Sequence, residues 1–134
     1  MNSPPSWLRE FAERYTAAWC SQNAASVAAF FSPTGSLQVN NAPPAVGQSE
    51  IEAVVQSFMT AFPDLVVAMD EIRLVDDGAE YHWTLTGANT GPGGTGARVK
   101  VSGLERWKIE PGGLIAQSLG QFDATDYARQ LAQR

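Results

Sequence analysis

One acidic residue stands where the sequence pattern predicts a buried side chain. Residues 97–110 alternate between polar and apolar types, which is typical of a β-strand with one face in the core. The polar face carries Arg98, Lys100, Ser102, Leu104, Arg106 and Lys108. The apolar face carries Val99, Val101, Gly103, Glu105, Trp107 and Ile109. Glu105 must therefore be paired or have a raised pKa, because burial disfavours the charged form of a carboxyl group.

A carboxyl group with a raised pKa suits general acid–base chemistry near neutral pH. Glu105 is the first catalytic candidate on this ground. A structural ion pair, or a bulge that turns Glu105 outward, would explain the residue equally well. Asp123 is a second candidate, as a partner carboxylate or an orienting group, and it could instead only cap a helix.

Other kinds of site are disfavoured by residue counts and context. The chain has one histidine and one cysteine, too few for a zinc cluster. His82 alternates opposite Tyr81 and Trp83, which favours an exposed or interface histidine, and Cys20 is predicted to be a buried structural thiol. The glycine-rich segment 91–96 lacks the context of a phosphate loop and is predicted to be a hairpin loop.

Aromatic residues are numerous enough to line a pocket as well as fill a core. The aromatic residues that we place near a cavity are Tyr15, Trp19, Phe58, Trp83 and Trp107. The polar residues that could contact a ligand there are Asn40, Asn89, Gln117, Gln121 and Asp123. Of these, Tyr15 and Asn40 would bond a substrate oxygen, and Trp83 and Trp107 would form apolar walls.

The first half of the chain is predicted to be mainly helical. Apolar residues from Trp7 to Trp19 recur at three- and four-residue spacing, after Pro4 and Pro5 and a possible cap at Ser3. The other segments predicted here are a helix at Ala24–Phe31, a strand at Ser36–Asn40 and a helix at Gln48–Phe62. Ser49 and Glu52 match a capping box for the third helix, and Pro33 and Gly35 are expected to end the second.

The second half is predicted to be a series of strands. Alternation slips near Asp70 and Glu71, which indicates a β-bulge, and Asp76-Asp77-Gly78 is typical of a hairpin turn. The remaining strands are expected at Ala79–Asn89, Ala97–Glu110 and Leu114–Phe122, followed by a short helix within Asp123–Gln133. Helices followed by a meander indicate an α+β fold, with three helices packed on a curved antiparallel sheet that encloses a pocket.

Length and charge limit the remaining possibilities. The 134 residues suffice for one domain, which we place at residues 1–134. A net charge of −5 disfavours nucleic acid and anionic membranes as partners. We expect no signal peptide and no membrane span, and hence a cytoplasmic protein.

The order of several short motifs resembles the SnoaL-like polyketide cyclases of the nuclear-transport-factor-2-like superfamily. The matching segments are Gly47, Phe62-Pro63-Asp64-Leu65, Trp83-Thr84 with Gly87, the Val99–Gly103 strand, Gly113-x-Ile115 leading to Asp123, and Gln130-Leu131. The resemblance implies a cone-shaped α+β fold, a pocket between helices and sheet, a homodimer, and no cofactor. It also implies ring closure of a polyketide by acid–base chemistry.

Some positions depart from the family's pattern. Asn89 stands where members often have a histidine, Glu105 where cyclase-like members often have another, and Gly120 where an acidic residue is associated with cyclase activity. Asn40 or Asn41 stands where ketosteroid isomerases have a basic aspartate, and an asparagine cannot act as that base.

Three functions are therefore open. The first is a cofactor-free cyclase or isomerase that acts on a small, hydrophobic, oxygenated molecule through Glu105 and Asp123. The second is a non-catalytic ligand-binding or dimerisation module, which the missing histidine and acidic positions favour. The third is an epoxide hydrolase-like enzyme, ranked last because the cationic residues of the Glu105 strand point away from the core face.

Overall fold

A computed structural model describes residues 4–76 and 78–133. The helices are α1 (Ser6–Trp19), α2 (Ala24–Ala28), α3 (Gln48–Ala61) and α4 (Ala124–Leu131). The strands are β1 (Phe31–Val39), β2 (Ala45–Val46), β3 (Val66–Val75), β4 (Gly78–Ala88), β5 (Arg98–Ile109) and β6 (Ile115–Phe122). These strands form one sheet in the order β2-β1-β6-β5-β4-β3. The expected α+β fold class is confirmed.

The sheet is antiparallel at every pair except one. Strand β1 runs parallel to β6, whereas the sequence suggested an antiparallel sheet throughout. The two strands are separated by α3 and the β3–β5 meander, and alternation within a strand carries no information about the direction of a distant neighbour. This parallel pair places β6 at the centre of the sheet, beside the strand that carries Glu105.

The second helix is shorter than predicted. It ends at Ala28, and the residues from Phe31 onward belong to β1, so the helix expected as far as Phe31 is wrong at its end. Pro33 and Gly35, expected to end the helix, lie inside β1 instead. The pairing of β1 with β6 is irregular between Phe31 and Ser36, so the missing N–H of Pro33 interrupts no regular ladder there.

The helix starts also differ from expectation. Helix α1 begins after Pro5 without a side-chain cap, and Ser3 lies outside the described residues. Helix α3 begins after Gly47, whose φ of +89° favours glycine, so the capping box at Ser49 and Glu52 is wrong. Instead, Glu50 in the first turn of the helix accepts a hydrogen bond at Oε1 from the Val46 N–H, at 2.9 Å.

Three local predictions for the strands and their connections are confirmed. The register of β3 against β4 shifts between Met69 and Glu71, where the β-bulge was expected. The β3–β4 hairpin closes by the pairing of Val75 with Gly78, and Asp77 lies outside the described residues. Segment 91–96 connects β4 to β5 as a loop, as predicted.

The core lies between one face of the sheet, the inner face, and helices α1 to α3. Helix α1 packs on β3, and α3 packs on α2 and β1. The buried face of α1 comprises Leu8, Phe11, Ala12, Tyr15, Ala18 and Trp19. Trp7, predicted to lie on that face, is in the first turn at its edge and is 52% exposed.

The last helix, α4, is attached by hydrogen bonds from one side chain and by apolar packing of Tyr127 and Leu131. Residues 98–102 of β5 pair with no residue of β6. At Lys100, the Gln130 side chain bonds both the backbone N–H and the backbone C=O, at 2.7 and 3.0 Å. Gln130 thus provides hydrogen-bond partners for both backbone groups of Lys100, as a neighbouring strand would. This attachment places Tyr127 of α4 over the end of the inner face. No helix among the described residues has the length and apolar character needed to cross a membrane.

Candidate active site

A mostly apolar cavity of about 70 Å³, partly open to solvent, lies on the inner face of the sheet. The helices contribute Trp19, Val54, Phe58 and Tyr127 to its lining. The strands contribute Leu37, Val39, Val67, Tyr81, Trp83, Leu85, Val101, Glu105, Gly120 and Phe122. Glu105 has the only carboxyl group among these lining residues. The lining therefore combines aromatic side chains with a single carboxyl group.

Strand pairing places the Glu105 side chain in the cavity. Glu105 lies opposite Tyr81 of β4 and Gly120 of β6, and the inner-face residues of all three strands point the same way. The Glu105 residue is 7% exposed. A Cβ at position 120 would lie 3.8 Å from Glu105 Cγ. Because residue 120 is glycine, it places no side chain against Glu105.

Three donors converge on one oxygen of the Glu105 carboxyl group. Oε1 accepts hydrogen bonds from Trp107 Nε1 at 2.8 Å, Ser118 Oγ at 2.8 Å and the Tyr15 hydroxyl at 3.0 Å. Oε2 has only the Tyr15 hydroxyl, at 3.3 Å. None of these three donor residues lines the cavity. Because Oε1 is fully used as an acceptor, Oε2 is the oxygen with capacity to carry a proton.

Burial raises the pKa of the Glu105 carboxyl group above its ordinary value, because the charged form loses its hydration. The hydrogen bonds from Trp107, Ser118 and Tyr15 act in the opposite direction, since they stabilise the carboxylate, but burial is the larger effect. Burial, with the nearby charge of Glu105, also raises the pKa of Tyr15 well above its ordinary value. Tyr15 therefore remains a protonated donor while Glu105 titrates.

Aromatic packing holds these donors in place. The Tyr81 ring stacks on Trp107 at 4.9 Å between centroids, and the Tyr15 ring meets both edge-on at 5.3 and 5.1 Å. The Tyr81 hydroxyl is hydrogen-bonded to the hydroxyl of Thr16, the residue after Tyr15 on α1. Such interlocked rings restrict the rotamers of the groups that hold Glu105, which is how an acid–base group is kept in one orientation.

Five aromatic residues were placed near a cavity from the sequence. Trp19, Phe58 and Trp83 line it. Tyr15 and Trp107 lie behind Glu105 and are fully or almost fully buried, so they contact the acid and not the cavity. Trp107 was expected to form an apolar wall, and the structure shows it as a hydrogen-bond donor instead.

Three polar candidates have structural partners. The Asn40 side chain accepts a hydrogen bond from the Phe122 N–H at 3.0 Å, and the Asn89 side chain bonds the Ala61 carbonyl and the Thr95 N–H. Asp123 is exposed and caps α4 by accepting from the Asp126 N–H at 2.9 Å. The structure does not bring these residues into the cavity lining, because each satisfies backbone groups where a strand or helix begins or ends.

Gln117 and Gln121 lie on the opposite face of the sheet from Glu105. They pair with Lys108 and Leu104, which alternate with Glu105 along β5. A side chain on that face cannot reach the cavity, because successive residues of a strand point to opposite faces. The expected ligand contacts from these two glutamines are therefore not available in this fold.

His82 and Cys20 also have surface positions. His82 Nε2 lies 3.4 Å from Glu80 and 3.2 Å from Arg73 on the same outer face as the glutamines. Cys20 was predicted to be buried and is exposed, because α1 ends at Trp19 and Cys20 follows as its C-cap. The described residues contain no group of three or more His, Cys, Asp or Glu side chains that could hold a metal ion.

The sequence analysis missed several residues of the site, among them Ser118 and Tyr127. Ser118 is fully buried and bonds Glu105, and its position two residues before Gly120 on the inner face was the available signal. Tyr127 lines the cavity from α4, with its ring 5.5 Å from that of Phe122. It lies four residues after Asp123, one helical turn along, but α4 has no fully buried residue to mark its inward face.

Gly103 makes room for the Trp83 ring, and we expect Gly103→Ala to disturb the cavity. A Cβ at position 103 would lie 2.3 Å from the Gln121 carbonyl oxygen and 2.6 Å from Trp83 Cζ2. The added methyl group must displace the β6 backbone or the indole, so the free energy of unfolding should fall by about 1–3 kcal/mol. Urea unfolding measures this loss. Gly93→Ala is the matched control for space, since nothing lies within 4 Å of its Cβ position, and its cost is limited to its positive φ.

Comparison with known proteins agrees with the fold. Residues 9–131 match the family described as SnoaL-like polyketide cyclase. The chain belongs to the SnoaL-like polyketide cyclase family. No curated protein matches the chain.

Solved structures of low sequence identity share this SnoaL-like fold. A SnoaL-like protein from Jannaschia sp. CCS1 has a TM-score of 0.81 and 16% identity, with 100% of this chain and 99% of that chain covered. TsrD from Streptomyces laurentii has a TM-score of 0.80 and 21% identity, with 97% and 98% covered. A ketosteroid isomerase-like protein from Catenulispora acidiphila has a TM-score of 0.81 and 13% identity, with 98% and 96% covered. At these identities the similarity shows the fold alone.

Proposed function

We propose that this SnoaL-like protein binds a small, hydrophobic, oxygenated ring compound and moves a proton next to its carbonyl group without a cofactor. Glu105 is the acid–base group of this proposal. The observation that carries it is the placement of one carboxyl group, with a pKa raised by burial, in a cavity otherwise lined by aromatic and aliphatic side chains.

The proposed step uses the two oxygens of Glu105 differently. Oε1 is held by Trp107, Ser118 and Tyr15, so Oε2 takes the proton from the carbon next to the ligand's carbonyl group. The electron pair of the broken C–H bond moves to the carbonyl oxygen, and an enolate forms. Oε2 then returns the proton to a carbon or oxygen of the ligand, so no other reactant is needed for an isomerisation.

Ring closure would extend the same step. In a cyclisation, the enolate carbon would attack a second carbonyl group of the same molecule, and the new alkoxide would take the proton from Oε2. The family supports this reading, since its description is that of a polyketide cyclase. The proposal defines the ligand by its apolar ring and its carbonyl group.

A second candidate function is binding without turnover. It is favoured by the dense bonding of Glu105, because three donors on Oε1 are also what a purely structural buried carboxylate needs.

An epoxide hydrolase-like function is less well supported. Related enzymes use two carboxylates and an arginine, and the described lining of the cavity has one carboxyl group and no arginine.

Hydrogen–deuterium exchange of a model ketone tests the proposal. The probe is 1-tetralone, a fused bicyclic ketone, dissolved in D₂O with the 134-residue protein. The proposal predicts faster loss of the NMR signal from the hydrogens next to the carbonyl group than in protein-free buffer. Binding of 1-tetralone with exchange at the buffer rate would contradict proton transfer and favour binding alone.

The proposed assembly is a homodimer, as the family resemblance implies, and the cytoplasmic location stays a prediction. A dimer would have twice the 14.4 kDa mass of one chain. The outer face of the sheet is the surface that the helices α1 to α3 leave uncovered. Its exposed apolar residues include Val66 and Leu119, among charged groups such as Arg106.

A further inference from the structure

One buried donor in the cavity wall lacks a hydrogen-bond partner. Among the buried side-chain nitrogen and oxygen atoms of residues 4–76 and 78–133, Trp83 Nε1 is the one without a partner. Trp83 lines the cavity beside Glu105. An unpaired buried N–H is costly and rare in folded proteins, so its presence in a ligand cavity calls for a reason.

A comparison with Trp107 sharpens this point. Both tryptophans lie on the inner face of the sheet, one on β4 and one on β5. Trp107 Nε1 donates to Glu105 Oε1 at 2.8 Å, whereas Trp83 Nε1 has no acceptor in the described part of the protein. The two indoles therefore differ in their hydrogen bonding: the acceptor for Trp107 is built into the fold, and the acceptor for Trp83 is not.

The Trp83 ring is held by its neighbours and not by its N–H. Trp83 pairs with Gly103, whose missing side chain leaves space for the indole, and its ring meets Phe122 edge-on at 6.0 Å. Neither neighbour provides a hydrogen-bond acceptor for the indole N–H. A phenylalanine at position 83 would preserve a flat aromatic wall of similar kind.

We propose that Trp83 Nε1 is the hydrogen-bond donor that selects an oxygen atom on the ligand. This inference rests on the proposed function, because it names the group that would distinguish an oxygenated ring from a plain hydrocarbon in the same cavity. A carbonyl oxygen is a suitable acceptor, since an indole N–H only donates. The N–H is screened from solvent in the ligand-free structure, so a hydrogen bond to a ligand requires the cavity wall around Trp83 to open.

The selection would come from a difference in pairing. A ketone gives Trp83 the acceptor that the fold lacks, whereas a hydrocarbon leaves the N–H unpaired in both the free and the bound protein. A buried site with an unpaired donor discriminates strongly against ligands that lack the matching group. Trp83 would thus determine specificity, while Glu105 supplies the acid–base chemistry.

Calorimetric binding of two matched probes tests this inference. The probes are 1-tetralone and tetralin, which share the bicyclic frame and differ in the carbonyl group. For the Trp83→Phe variant we expect the affinity for 1-tetralone to fall about tenfold, which is typical of one lost hydrogen bond, and the affinity for tetralin to change less than about twofold. An equal loss for both probes, or no loss for either, would overturn the inference.

Stability of the ligand-free protein provides a second, independent readout. Both Trp83→Phe and Trp107→Phe shrink a packed ring, which lowers the melting temperature. Trp107→Phe also removes a donor that has an acceptor, so it should melt lower than Trp83→Phe, whose lost N–H has none in the described part of the protein. Equal losses in the two variants would show that Trp83 has a partner in the free protein and would overturn the inference.

The two proposals can fail separately. If the wild type binds 1-tetralone and prefers it to tetralin through Trp83, but does not accelerate exchange, proton transfer is wrong and the role of Trp83 holds. If exchange is accelerated and depends on Glu105 while Trp83→Phe leaves the preference for 1-tetralone unchanged, the proposed function holds and the role of Trp83 is wrong.

Discussion

Replacement of Glu105 by glutamine is expected to reduce the protein-catalysed exchange of 1-tetralone by two to four orders of magnitude, roughly the contribution of a well-placed acid–base group. The amide oxygen of glutamine can occupy the Oε1 position and keep the bonds from Trp107, Ser118 and Tyr15. The amide nitrogen then occupies the Oε2 position and cannot take up a proton at neutral pH. The variant thus keeps the shape of the site and loses its titration. The rate is measured by NMR in D₂O.

Glu80→Gln is the matched control for this experiment. It removes a carboxyl group from β4 that takes part in ion pairs with Arg73 and Arg106 on the outer face and does not line the cavity. Its exchange rate should stay close to that of the wild type. Exchange that survives in Glu105→Gln, or that falls equally in Glu80→Gln, would remove Glu105 from the mechanism.

Replacement of Glu105 by leucine is expected to lower the free energy of unfolding by about 3 kcal/mol or more. Leucine has no acceptor, so Trp107 Nε1, Ser118 Oγ and the Tyr15 hydroxyl lose their shared partner, and each orphaned buried donor costs about 1–3 kcal/mol. Leucine also removes the cost of burying a carboxyl group, which offsets part of this loss. The loss dominates because three buried donors lose their partner, whereas the burial cost of only one carboxyl group is removed.

Urea unfolding of the leucine and glutamine variants separates these effects. Glutamine should cost about 1 kcal/mol or less, since it keeps an acceptor at the Oε1 position. A double-mutant cycle adds a further check: Tyr15→Phe should cost less in the Glu105→Leu background than in the wild type, because its hydroxyl has already lost its acceptor. Equal stabilities of the leucine and glutamine variants would show that the three hydrogen bonds contribute nothing.

Much of the candidate site could be predicted from local alternation. The pattern Val101, Gly103, Glu105, Trp107 places these residues on one face of β5 whatever the neighbouring strands are, and the structure has them there. The β-bulge in β3 was predictable for the same reason, since a phase slip is visible within a single segment. Local patterns thus located the acid and its face of the sheet.

The partners of the acid could not be predicted in this way. Tyr15 lies 90 residues from Glu105 in the chain, and the two meet because α1 packs on the inner face of the sheet. Whether Gln117 or Ser118 faces the cavity depends on the register of β6, and a slip of one residue exchanges the two faces. Contacts that depend on the packing or register of distant segments leave no mark in the local sequence.

The polar residues show a related limit of residue type as a guide. Asn40, with a φ of +52°, and Asn89 were candidates for ligand contacts, and their amide groups are used to complete backbone hydrogen bonds near strand ends. Asparagine is common in such positions because its side chain imitates a backbone group. Its presence near a predicted cavity is therefore weak support for ligand binding.

The raised pKa of Glu105 has a defined effect on stability. A carboxyl group with a higher pKa in the folded than in the unfolded protein binds more protons when folded, so it lowers the free energy of unfolding as the pH rises. Wild type should therefore lose stability relative to Glu105→Gln from a pH of about 4.5, its ordinary value, up to its pKa in the folded protein. Above that pH the difference between the two proteins should be constant.

The most direct test is a ¹³C NMR titration of the Glu105 side-chain carboxyl carbon, assigned by its absence from the spectrum of Glu105→Gln. The account predicts a titration midpoint clearly above 4.5, the ordinary value, with the Trp107 indole N–H signal shifting over the same pH range because it donates to that carboxyl group. A midpoint at or below 4.5 would contradict the account, since burial in the cavity would then not raise the pKa of Glu105.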